Sequence, residues 1–396
     1  CIMISSTKTE PSSLSHVDQK LSVQCKTFSI DTTAIRSLDW DRSRFDIEFG
    51  LRNGTTYNSF VIEGEKTAVI DTSHSKFEKL WIENLIQQVN PKNISYLISS
   101  HTEPDHSGLI SDLLDLNPEI IIVGSKIALK FIEDQIHRPF NRLEVKSGDF
   151  LDLGINKESG VDHRMEFISA PNLHWPDTIF SYDHGTKVLY TCDAFGLHYC
   201  SNEFFDSNQK EIFKDFRFYY DCLMGPNARS VVQAIKKIDK LPEVKAIAVG
   251  HGPILENHVN FWKDKYSEWS NNKNKGNDFV AVCYISDYGF CDRLSQALSH
   301  GIGKADAQVQ LVDLRSSDPQ ELTALITEAK AVVIPTWPNK TDIELQESIG
   351  TLFAALKPKQ FTATYDSFGG NDEPIDSLAN KLRELKQKEA LAPLRV

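Results

Sequence analysis

The amino-acid sequence predicts an α/β protein with two domains, a four-layer sandwich of two sheets between helices followed by a doubly wound parallel sheet. Three observations predict this fold class. The chain of 396 residues is too long for one ordinary core. Two runs of strand-like segments are each closed by helical ones, and regular strand–helix units follow a polar stretch at 271–278. We therefore expect an arm at 1–35, a first domain at 36–270, a linker at 271–278 and a second domain at 279–396.

The first domain is predicted element by element from its apolar periodicity. Residues 1–35 are rich in Ser and Thr, which indicates an arm. Beyond them, short apolar runs alternate with turn residues, as is typical of strands, and apolar spacings of three and four residues indicate helices. The predicted strands are 45–51, 57–63, 67–71, 96–98, 120–123, several within 149–190, and 244–249. The predicted helices are 77–89, 126–136 and 208–241.

The second domain shows a regular alternation of strands and helices after the Asn- and Lys-rich linker. Its predicted strands are 279–285, 309–312, 331–334 and 361–365, and its predicted helices are 292–301, 319–329, 343–356 and 375–385. This order predicts a parallel, doubly wound sheet. A complete fold of this type has one more strand and a covering helix, for which only 391–396 remains. We therefore expect a shortened C-terminus and a further domain in the whole protein.

Composition excludes several classes of protein. The formal net charge is -12, and no Lys/Arg cluster interleaved with aromatic residues is present, which argues against nucleic-acid binding. No apolar stretch is long enough to cross a bilayer. The seven cysteines are scattered and form no CxxC pair, so neither a disulfide framework nor a zinc knuckle is indicated. These features, with no signal segment at the N-terminus, predict a cytoplasmic protein.

The strongest functional signal is a set of potential metal ligands in loops that follow predicted strands. Four of them lie within six residues after the strand at 96–98, and the whole set is His101, Glu103, Asp105, His106, His174, Asp193 and His251. No single loop can surround two ions, whereas several strand-end loops can direct imidazoles and carboxylates into one pocket. The pattern therefore predicts a two-metal site rather than ordinary polar loop residues.

Other residues near these ligands receive a plainer interpretation. The aromatic side chains of Trp175, Phe195 and Tyr199 are expected to pack beside the site rather than to gate it. His198 is expected to be an ordinary exposed or core histidine rather than a partner of a metal ligand. His163 has no ligand-rich neighbours in the sequence and is also treated as ordinary.

At these residues the sequence resembles the metallo-β-lactamase superfamily and, within it, the flavodiiron proteins, over essentially the whole chain after the arm. Glu103 makes the resemblance specific, because the hydrolases of the superfamily usually have His at this position. An anionic oxygen ligand favours iron over zinc and stabilises the ferric state. The resemblance implies two irons in an αββα domain, one bound by His101, Glu103 and His174, the other by Asp105, His106 and His251, with Asp193 bridging.

The second domain resembles flavodoxin, which implies FMN as its cofactor. By position, the phosphate loop contains Ser286, Asp287, Tyr288, Gly289, Phe290 and Cys291 and opens a helix whose N-terminal N–H groups suit an anion. Two later loops would contact the flavin ring through Pro335, Thr336, Trp337 and Asn339, and through Ser367, Phe368 and Gly369. Cys291 replaces the usual Ser or Thr, and Asp287 adds negative charge near the phosphate. We therefore predict weaker FMN binding than in a typical flavodoxin.

The resemblance is greatest to the flavodiiron proteins of cyanobacteria and chloroplasts, in which a flavin reductase domain follows the flavodoxin domain. It implies O2 reduction to water as a photoprotective electron sink, with electrons relayed through FMN from a flavin reductase domain, NAD(P)H or ferredoxin. It also implies a homo- or hetero-oligomer, built on a head-to-tail dimer, in the cytoplasm or, in a eukaryote, the chloroplast stroma.

Three alternative functions remain open. The same metal pair could reduce NO instead of O2. A zinc-dependent hydrolase shares the fold and most of the ligands, although Glu103 and the flavodoxin-like domain argue against it. A non-catalytic subunit of a hetero-oligomer is favoured by the irregular phosphate loop and disfavoured by the complete set of seven ligands.

Overall fold

The protein has the α/β fold that the sequence predicts. The computed structural model describes residues 21–45, 49–273, 278–285, 290–305, 307–315, 317, 319–337, 343–366 and 374–395. Within these residues, none of the helices is both long enough and apolar enough to cross a bilayer.

The first domain contains fourteen strands and seven α-helices in the described residues. Its strands are β1 (Leu21–Ser29), β2 (Thr32–Asp39), β3 (Arg44–Phe45), β4 (Phe49–Gly50), β5 (Thr55–Glu63), β6 (Thr67–Ile70), β7 (Ile94–Ile98), β8 (Ile121–Gly124), β9 (Asn141–Glu144), β10 (Phe150–Ile155), β11 (Asp162–Ser169), β12 (Ile179–Asp183), β13 (Val188–Cys192) and β14 (Ala246–Val249). Its helices are α1 (Glu78–Gln88), α2 (Pro104–Ser107), α3 (Ile110–Leu116), α4 (Lys126–Ile136), α5 (Gln209–Tyr219), α6 (Ala228–Ile238) and α7 (Val259–Lys273).

These elements form two facing sheets with helices on both outer sides. One sheet has the strand order β1-β2-β5-β6-β7-β8-β9, and the other has the order β10-β11-β12-β13-β14. Phe60, Ile98, Phe167 and Tyr190 belong to a buried apolar cluster between the sheets. Separate clusters bury α1, α3 and α4 against the first sheet, and α5, α6 and α7 against the second. The result is the four-layer sandwich that the doubled order of strands and helices predicts.

The structure corrects the predicted arm and linker. β1 and the start of β2 lie within 1–35, yet they are part of the first sheet, with Leu21 opposite Asp39. Leu21, Val23 and Cys25 alternate along β1 and pack against the core beneath α1. Thr favours pleated, half-buried surfaces, so Ser/Thr content does not identify an arm. At the linker, α7 continues to Lys273 because Tyr266 and Trp269 anchor its last turns in the core.

The second domain is a parallel sheet wrapped by helices, as predicted. Its strands are β15 (Phe279–Tyr284), β16 (Gln308–Asp313), β17 (Ala331–Pro335), β18 (Phe361–Asp366), β19 (Lys388–Glu389) and β20 (Leu394–Arg395). Its helices are α8 (Phe290–Lys304), α9 (Pro319–Glu328), α10 (Ile343–Ala355) and α11 (Pro374–Glu384). The order is β16-β15-β17-β18-β19, and β20 also pairs with β18. The expectation that only 391–396 was left for a fifth strand is wrong, because two short strands occupy that place.

The topology of the first domain brings several strand ends to one edge of the sandwich. β6 and β7 are parallel neighbours in the first sheet, and β13 and β14 are parallel neighbours in the second. The carboxyl ends of parallel neighbours lie at the same edge of a sheet. The backbone N–H of Asn58 donates to Gly250 O over 2.8 Å, which joins β5 of one sheet to the loop after β14 of the other. Loops from both sheets therefore meet at this edge.

Candidate metal centre

The structure brings all seven predicted ligands into one buried pocket at this edge. The loop and short helix after β7 supply His101, Glu103, Asp105 and His106, and the loops after β11, β13 and β14 supply His174, Asp193 and His251. The potential ligand atoms of these seven residues form two compact groups, each within 4.8 Å: one contains His101, Glu103, His174 and Asp193, and the other contains Asp105, His106 and His251. A third group of the same size joins His106 to Asp71 and Cys192, which were not predicted as ligands. The two groups match the division into two ions that the resemblance implies.

The first group is arranged around the carboxylate of Glu103. His174 Nε2 lies 3.1 Å from Glu103 Oε2, and His101 Nε2 lies 3.4 Å from the same oxygen. Asp193 Oδ2 lies 3.2 Å from His174 Nε2 and 3.5 Å from His101 Nε2. Two imidazole nitrogens and two carboxylates thus face one point.

The second group uses the other oxygen of Asp193. Asp193 Oδ1 lies 3.1 Å from His106 Nε2 and 3.1 Å from His251 Nε2. The two oxygens of Asp105 complete the group, with Oδ1 3.5 Å from His106 Nε2 and Oδ2 3.5 Å from His251 Nε2. Asp193 therefore presents one oxygen to each group, which is the geometry of a shared carboxylate.

Local sequence positions the ligands after β7. Pro104 occupies the first turn of α2, where its missing N–H and fixed φ are tolerated. Ser107 Oγ donates to Thr102 O over 2.8 Å and to Glu103 O over 3.1 Å, which ties the turn closed. On the facing loop, a Cβ at Gly250 would lie 2.8 Å from His106 Cε1. Glycine is therefore needed beside His251 so that the two loops can approach.

Hydrogen bonds outside the ligand groups fix the orientation of two imidazoles. His101 Nδ1–H donates to Asp177 Oδ1 over 3.1 Å, and Asp177 Oδ2 accepts from Thr102 N and Thr102 Oγ1, each over 2.7 Å. His251 Nδ1–H donates to Thr56 O over 2.6 Å. In the neutral form of each ring the proton therefore lies on Nδ1, which leaves Nε2 available to a metal.

Asp177 and Asp71 are functional residues that sequence reasoning missed. Asp177 lies in the same short segment as His174, but nothing in the sequence links it to His101. Asp71 Oδ1 accepts from the backbone N–H of Ser100 over 2.7 Å and so supports the start of the ligand loop. Burial raises the pKa of Asp71 to about 6. Asp71 directly follows the strand β6, and this position after a strand is the signal by which it could have been found.

The imidazoles and carboxylates of the pocket shift one another's pKa values. Burial lowers the pKa of His101, but the Asp177 carboxylate and other acids outweigh it and bring the pKa to about 10. Burial likewise lowers the pKa of His106, and Asp105 and Asp193 raise it to about 10. Burial opposes ionisation of Asp193, yet the His106 imidazole and its neighbours lower the Asp193 pKa well below its usual range.

The donor atoms fit a metal pair. Asp105 Oδ1 and Asp193 Oδ2 are buried and form no well-aligned hydrogen bond with any residue that the structure describes, although imidazole nitrogens lie 3.2–3.5 Å from them. Buried carboxylate oxygens without a donor are costly unless a cation compensates them. The donor set comprises imidazole nitrogens and carboxylate oxygens, the mixture typical of non-haem iron rather than of thiolate zinc sites. These residues could therefore bind two hard or borderline cations.

The histidine and aromatic residues around the ligands form the wall of the pocket. His198 is buried, its Nδ1 lies 2.7 Å from Thr55 Oγ1, and its ring centroid is 4.6 Å from that of His251. Interpreting His198 as an ordinary core histidine missed this contact with a ligand. Burial lowers the pKa of His198 well below its usual range, so the ring is neutral. Tyr219 stacks edge-on against His198 at 4.9 Å, and both border a cavity of about 280 Å³.

The predicted FMN contacts are only partly within the described residues. Thr336 Oγ1 donates to Asp366 Oδ1 over 2.8 Å, and the Trp337 ring packs edge-on against Phe353 at 5.9 Å. Pro335 ends β17, while Phe290 and Cys291 lie in the first turn of α8. The other predicted contacts lie outside the described residues: Ser286, Asp287, Tyr288, Gly289, Asn339, Ser367, Phe368 and Gly369. FMN binding by these loops stays a prediction.

Comparisons with known proteins identify the family. A family model described as an ODP family beta lactamase matches residues 55–252. The chain is 50% identical over 378 residues to diflavin flavoprotein A 1 of Synechocystis sp., an alignment that covers 96% of this chain and 65% of that protein. It is 47% identical over 394 residues to putative diflavin flavoprotein A 2 of Nostoc sp., covering 100% of this chain and 67% of the relative.

Solved structures agree with these relatives. The metal-soaked Flv1 flavodiiron core from Synechocystis sp. superposes with a TM-score of 0.79 at 30% identity, covering 95% of this chain and 93% of that chain. Rubredoxin oxygen:oxidoreductase from Desulfovibrio gigas superposes with a TM-score of 0.58 at 26% identity, covering 94% and 93%.

The chain belongs to the flavodiiron protein family, whose members are oxidoreductases with flavin and iron as cofactors. It spans about 65% of the length of the curated relatives it matches first. The resemblance that the sequence showed at Glu103 and its neighbouring ligands is therefore confirmed at the level of the family.

Proposed function

We propose that this chain forms the diiron and FMN core of an enzyme that reduces O2 to water and serves as an electron sink. The observation that supports the proposal most is the position of Asp193, whose two carboxylate oxygens each face a separate group of imidazoles at 3.1–3.2 Å. A carboxylate shared between two metal sites would suit the reduction of a small diatomic oxidant.

The proposed ligands follow the two groups. His101, Glu103 and His174 would bind one iron, and Asp105, His106 and His251 would bind the other, with Asp193 bridging. When bound, two ferrous ions and a reduced FMN together supply the four electrons that conversion of O2 to two waters requires.

The residues of this chain would orient the ligands and restrict access to the pocket. Asp177 and Thr56 keep the Nδ1 protons of His101 and His251 away from the centre, so that both Nε2 atoms stay available. Trp175 lies edge-on to His101 at 4.9 Å, and neutral His198 lies beside His251. These rings would limit the entry of water to the centre.

The names of the relatives support the proposal from another direction. The Desulfovibrio gigas neighbour is named an oxygen:oxidoreductase, and the cyanobacterial relatives are named diflavin proteins and are longer than this chain. We infer that a flavin reductase domain, NAD(P)H or ferredoxin supplies electrons, and that the core acts in a cytoplasmic homo- or hetero-oligomer. NO reduction would use the same ligands, so it is the alternative that the experiment must separate.

Reconstitution with Fe2+ and FMN under anaerobic conditions, followed by reduction and stopped-flow mixing with O2 or NO, tests the proposal. We expect about two irons and one flavin per chain, and flavin reoxidation that is faster with O2 than with NO. His251→Ala should abolish reoxidation through the centre, whereas His184→Ala, at a histidine outside it, should not.

Each other outcome contradicts the proposal in a recognisable way. Reoxidation by NO alone would identify an NO reductase. Zinc uptake without flavin would indicate a hydrolase. Iron and flavin that bind but react with neither oxidant would indicate a non-catalytic subunit.

A further inference from the structure

Asn172 closes the turn that presents His174. Its backbone adopts the left-handed conformation, with φ 65°, which Asn tolerates better than most residues. Its N–H donates to Trp175 O over 2.8 Å, so the turn spans Leu173 and His174. Asn172 is buried, with 7% of its surface exposed. The position of the candidate ligand His174 therefore depends on how Asn172 is fixed.

The side chain of Asn172 is fixed by the second domain. Asn172 Nδ2 donates to the backbone carbonyl of Leu311 over 3.1 Å, and Tyr284 OH donates to Asn172 Oδ1 over 3.2 Å. Leu311 lies on β16, the edge strand of the second sheet, and Tyr284 is the last residue of β15. Both polar atoms of the amide are thus used by the domain that does not contain the metal ligands.

Neighbouring contacts keep the two domains together at this point. Gln310 Nε2 donates to Ser230 Oγ over 3.1 Å, which joins β16 to α6. The guanidinium of Arg229 lies 3.8 Å from the centroid of the Phe279 ring, at the start of β15. These contacts secure the interface, but they do not involve the loops of the metal centre. The hydrogen bonds of Asn172 differ from these contacts, because they connect the interface to a ligand loop.

Loss of this connection would alter how firmly His174 is held. Tyr284 is 1% exposed, so without its hydroxyl group the Asn172 amide would keep an unsatisfied buried acceptor. The turn would then have alternative side-chain positions two residues from His174. Outer partners of metal ligands usually affect metal affinity because they fix ligand orientation.

We propose that Asn172 is a positioning residue through which the second domain sets the orientation of His174 and, with it, the metal affinity of the centre. The proposal rests on the proposed function in one respect, that the centre binds metal. By thermodynamic linkage, metal binding then also stabilises the contact between the two domains.

A single hydroxyl group provides the test. Tyr284→Phe removes the donor to Asn172, while Tyr365→Phe is a matched control, because Tyr365 is equally buried in the same sheet and its OH donates to Cys283 O over 2.7 Å. Co2+ serves as the probe metal with the chain of 396 residues. Its affinity is measured by chelator competition and its ligand geometry by visible absorption. Asn172→Gly is the second variant, since it deletes the amide but keeps the left-handed turn.

We expect Tyr284→Phe and Asn172→Gly to weaken Co2+ binding roughly three- to tenfold and to shift its absorption bands, with Tyr365→Phe unchanged. If Tyr284→Phe binds Co2+ with the affinity and the spectrum of the parent, this inference is wrong, while the proposed function is unaffected. Equal losses in both Tyr variants would also overturn it, because they would reflect general destabilisation. A parent that binds no metal would contradict the proposed function and this inference with it.

Discussion

His101 Nδ1 donates a hydrogen bond to Asp177 Oδ1 over 3.1 Å, and both side chains are fully buried. The same carboxylate accepts two hydrogen bonds from Thr102 through its other oxygen. This arrangement sets the tautomer of a candidate ligand, and the first prediction concerns its loss.

Asp177→Asn should weaken metal binding while preserving the fold. The amide oxygen would take the two donors of Thr102, which leaves the NH2 group facing His101 Nδ1. The imidazole proton would then move to Nε2, where the metal binds. We expect iron affinity to fall by about 10- to 100-fold, measured by chelator competition.

Asp183→Asn is the matched control, because Asp183 is also buried and accepts from a histidine, His163, over 2.8 Å. Its metal affinity should equal that of the parent. An Asp177→Asn protein with parental affinity would show that the carboxylate does not set the tautomer.

Glu103→His should change the metal preference of the first group. Glu103 Oε2 faces both His101 and His174, and an imidazole there would replace a hard anionic donor by a borderline neutral one. We expect the ratio of zinc to iron bound from an equimolar mixture to rise by roughly tenfold, measured by elemental analysis. Glu103→Asp, which keeps the carboxylate, should retain the preference for iron, and equal ratios in both variants would refute the explanation.

Metal uptake should release protons, with affinity rising with pH. In the metal-free chain the pKa values of His101 and His106 are about 10, so both rings are protonated near neutral pH. A metal requires the neutral imidazole, so protons compete with it until the pH exceeds these pKa values. Fe2+ or Co2+ affinity should therefore increase between pH 6 and 8, measured by calorimetry in buffers of different ionisation enthalpy. A metal affinity that does not change with pH, and uptake without proton release, would contradict this competition between protons and metal.

His163 should stabilise the fold more at low pH than at high pH. Its Nδ1 lies 2.8 Å from Asp183 Oδ2 and its Nε2 lies 3.2 Å from Asp31 Oδ2, so both nitrogens donate only when the ring is protonated. Burial lowers the pKa of His163, but the two carboxylates outweigh it and raise the pKa overall. Because the folded pKa exceeds the unfolded one, this stabilisation is complete below about pH 6.5 and is lost as the pH rises through the folded value.

His163→Gln tests this interaction of His163 with the two carboxylates. The measurement is urea unfolding of the metal-free protein at pH 6 and pH 9. The variant should lose more unfolding free energy at pH 6 than at pH 9. His258→Gln, at a histidine outside this cluster, should show no such difference. An equal loss of stability by His163→Gln at both pH values would rule out an ionic contribution.

The strands and the ligand loops were predictable from the sequence because their signals are local. The helix α4 begins and ends at the predicted residues, Lys126–Ile136, and each predicted ligand lies in a loop or short helix that follows a strand. Parallel strands β6 and β7, and β13 and β14, then place neighbouring strand ends at one edge of each sheet. The resemblance at Glu103 added the division into two groups.

The remaining features depend on pairings between distant residues. Asp177 meets His101 across 76 positions, and Thr55 meets His198 across 143, so neither partner is visible in a local pattern. His163 was treated as ordinary because Asp31 and Asp183 approach it only after the sheet forms. β1 was taken for an arm because its Ser and Thr residues concealed the alternation of Leu21, Val23 and Cys25. Tertiary context decided each of these cases.

The shared role of Asp193 is tested most directly by anaerobic titration of the metal-free chain with Fe2+, with iron counted by elemental analysis and Mössbauer spectroscopy. We predict about two irons per chain in the parent, magnetically coupled after oxidation, and loss of that coupling together with at least one iron in Asp193→Ala. Two independent irons in the parent, or full occupancy and unchanged coupling in Asp193→Ala, would contradict a centre built on this carboxylate.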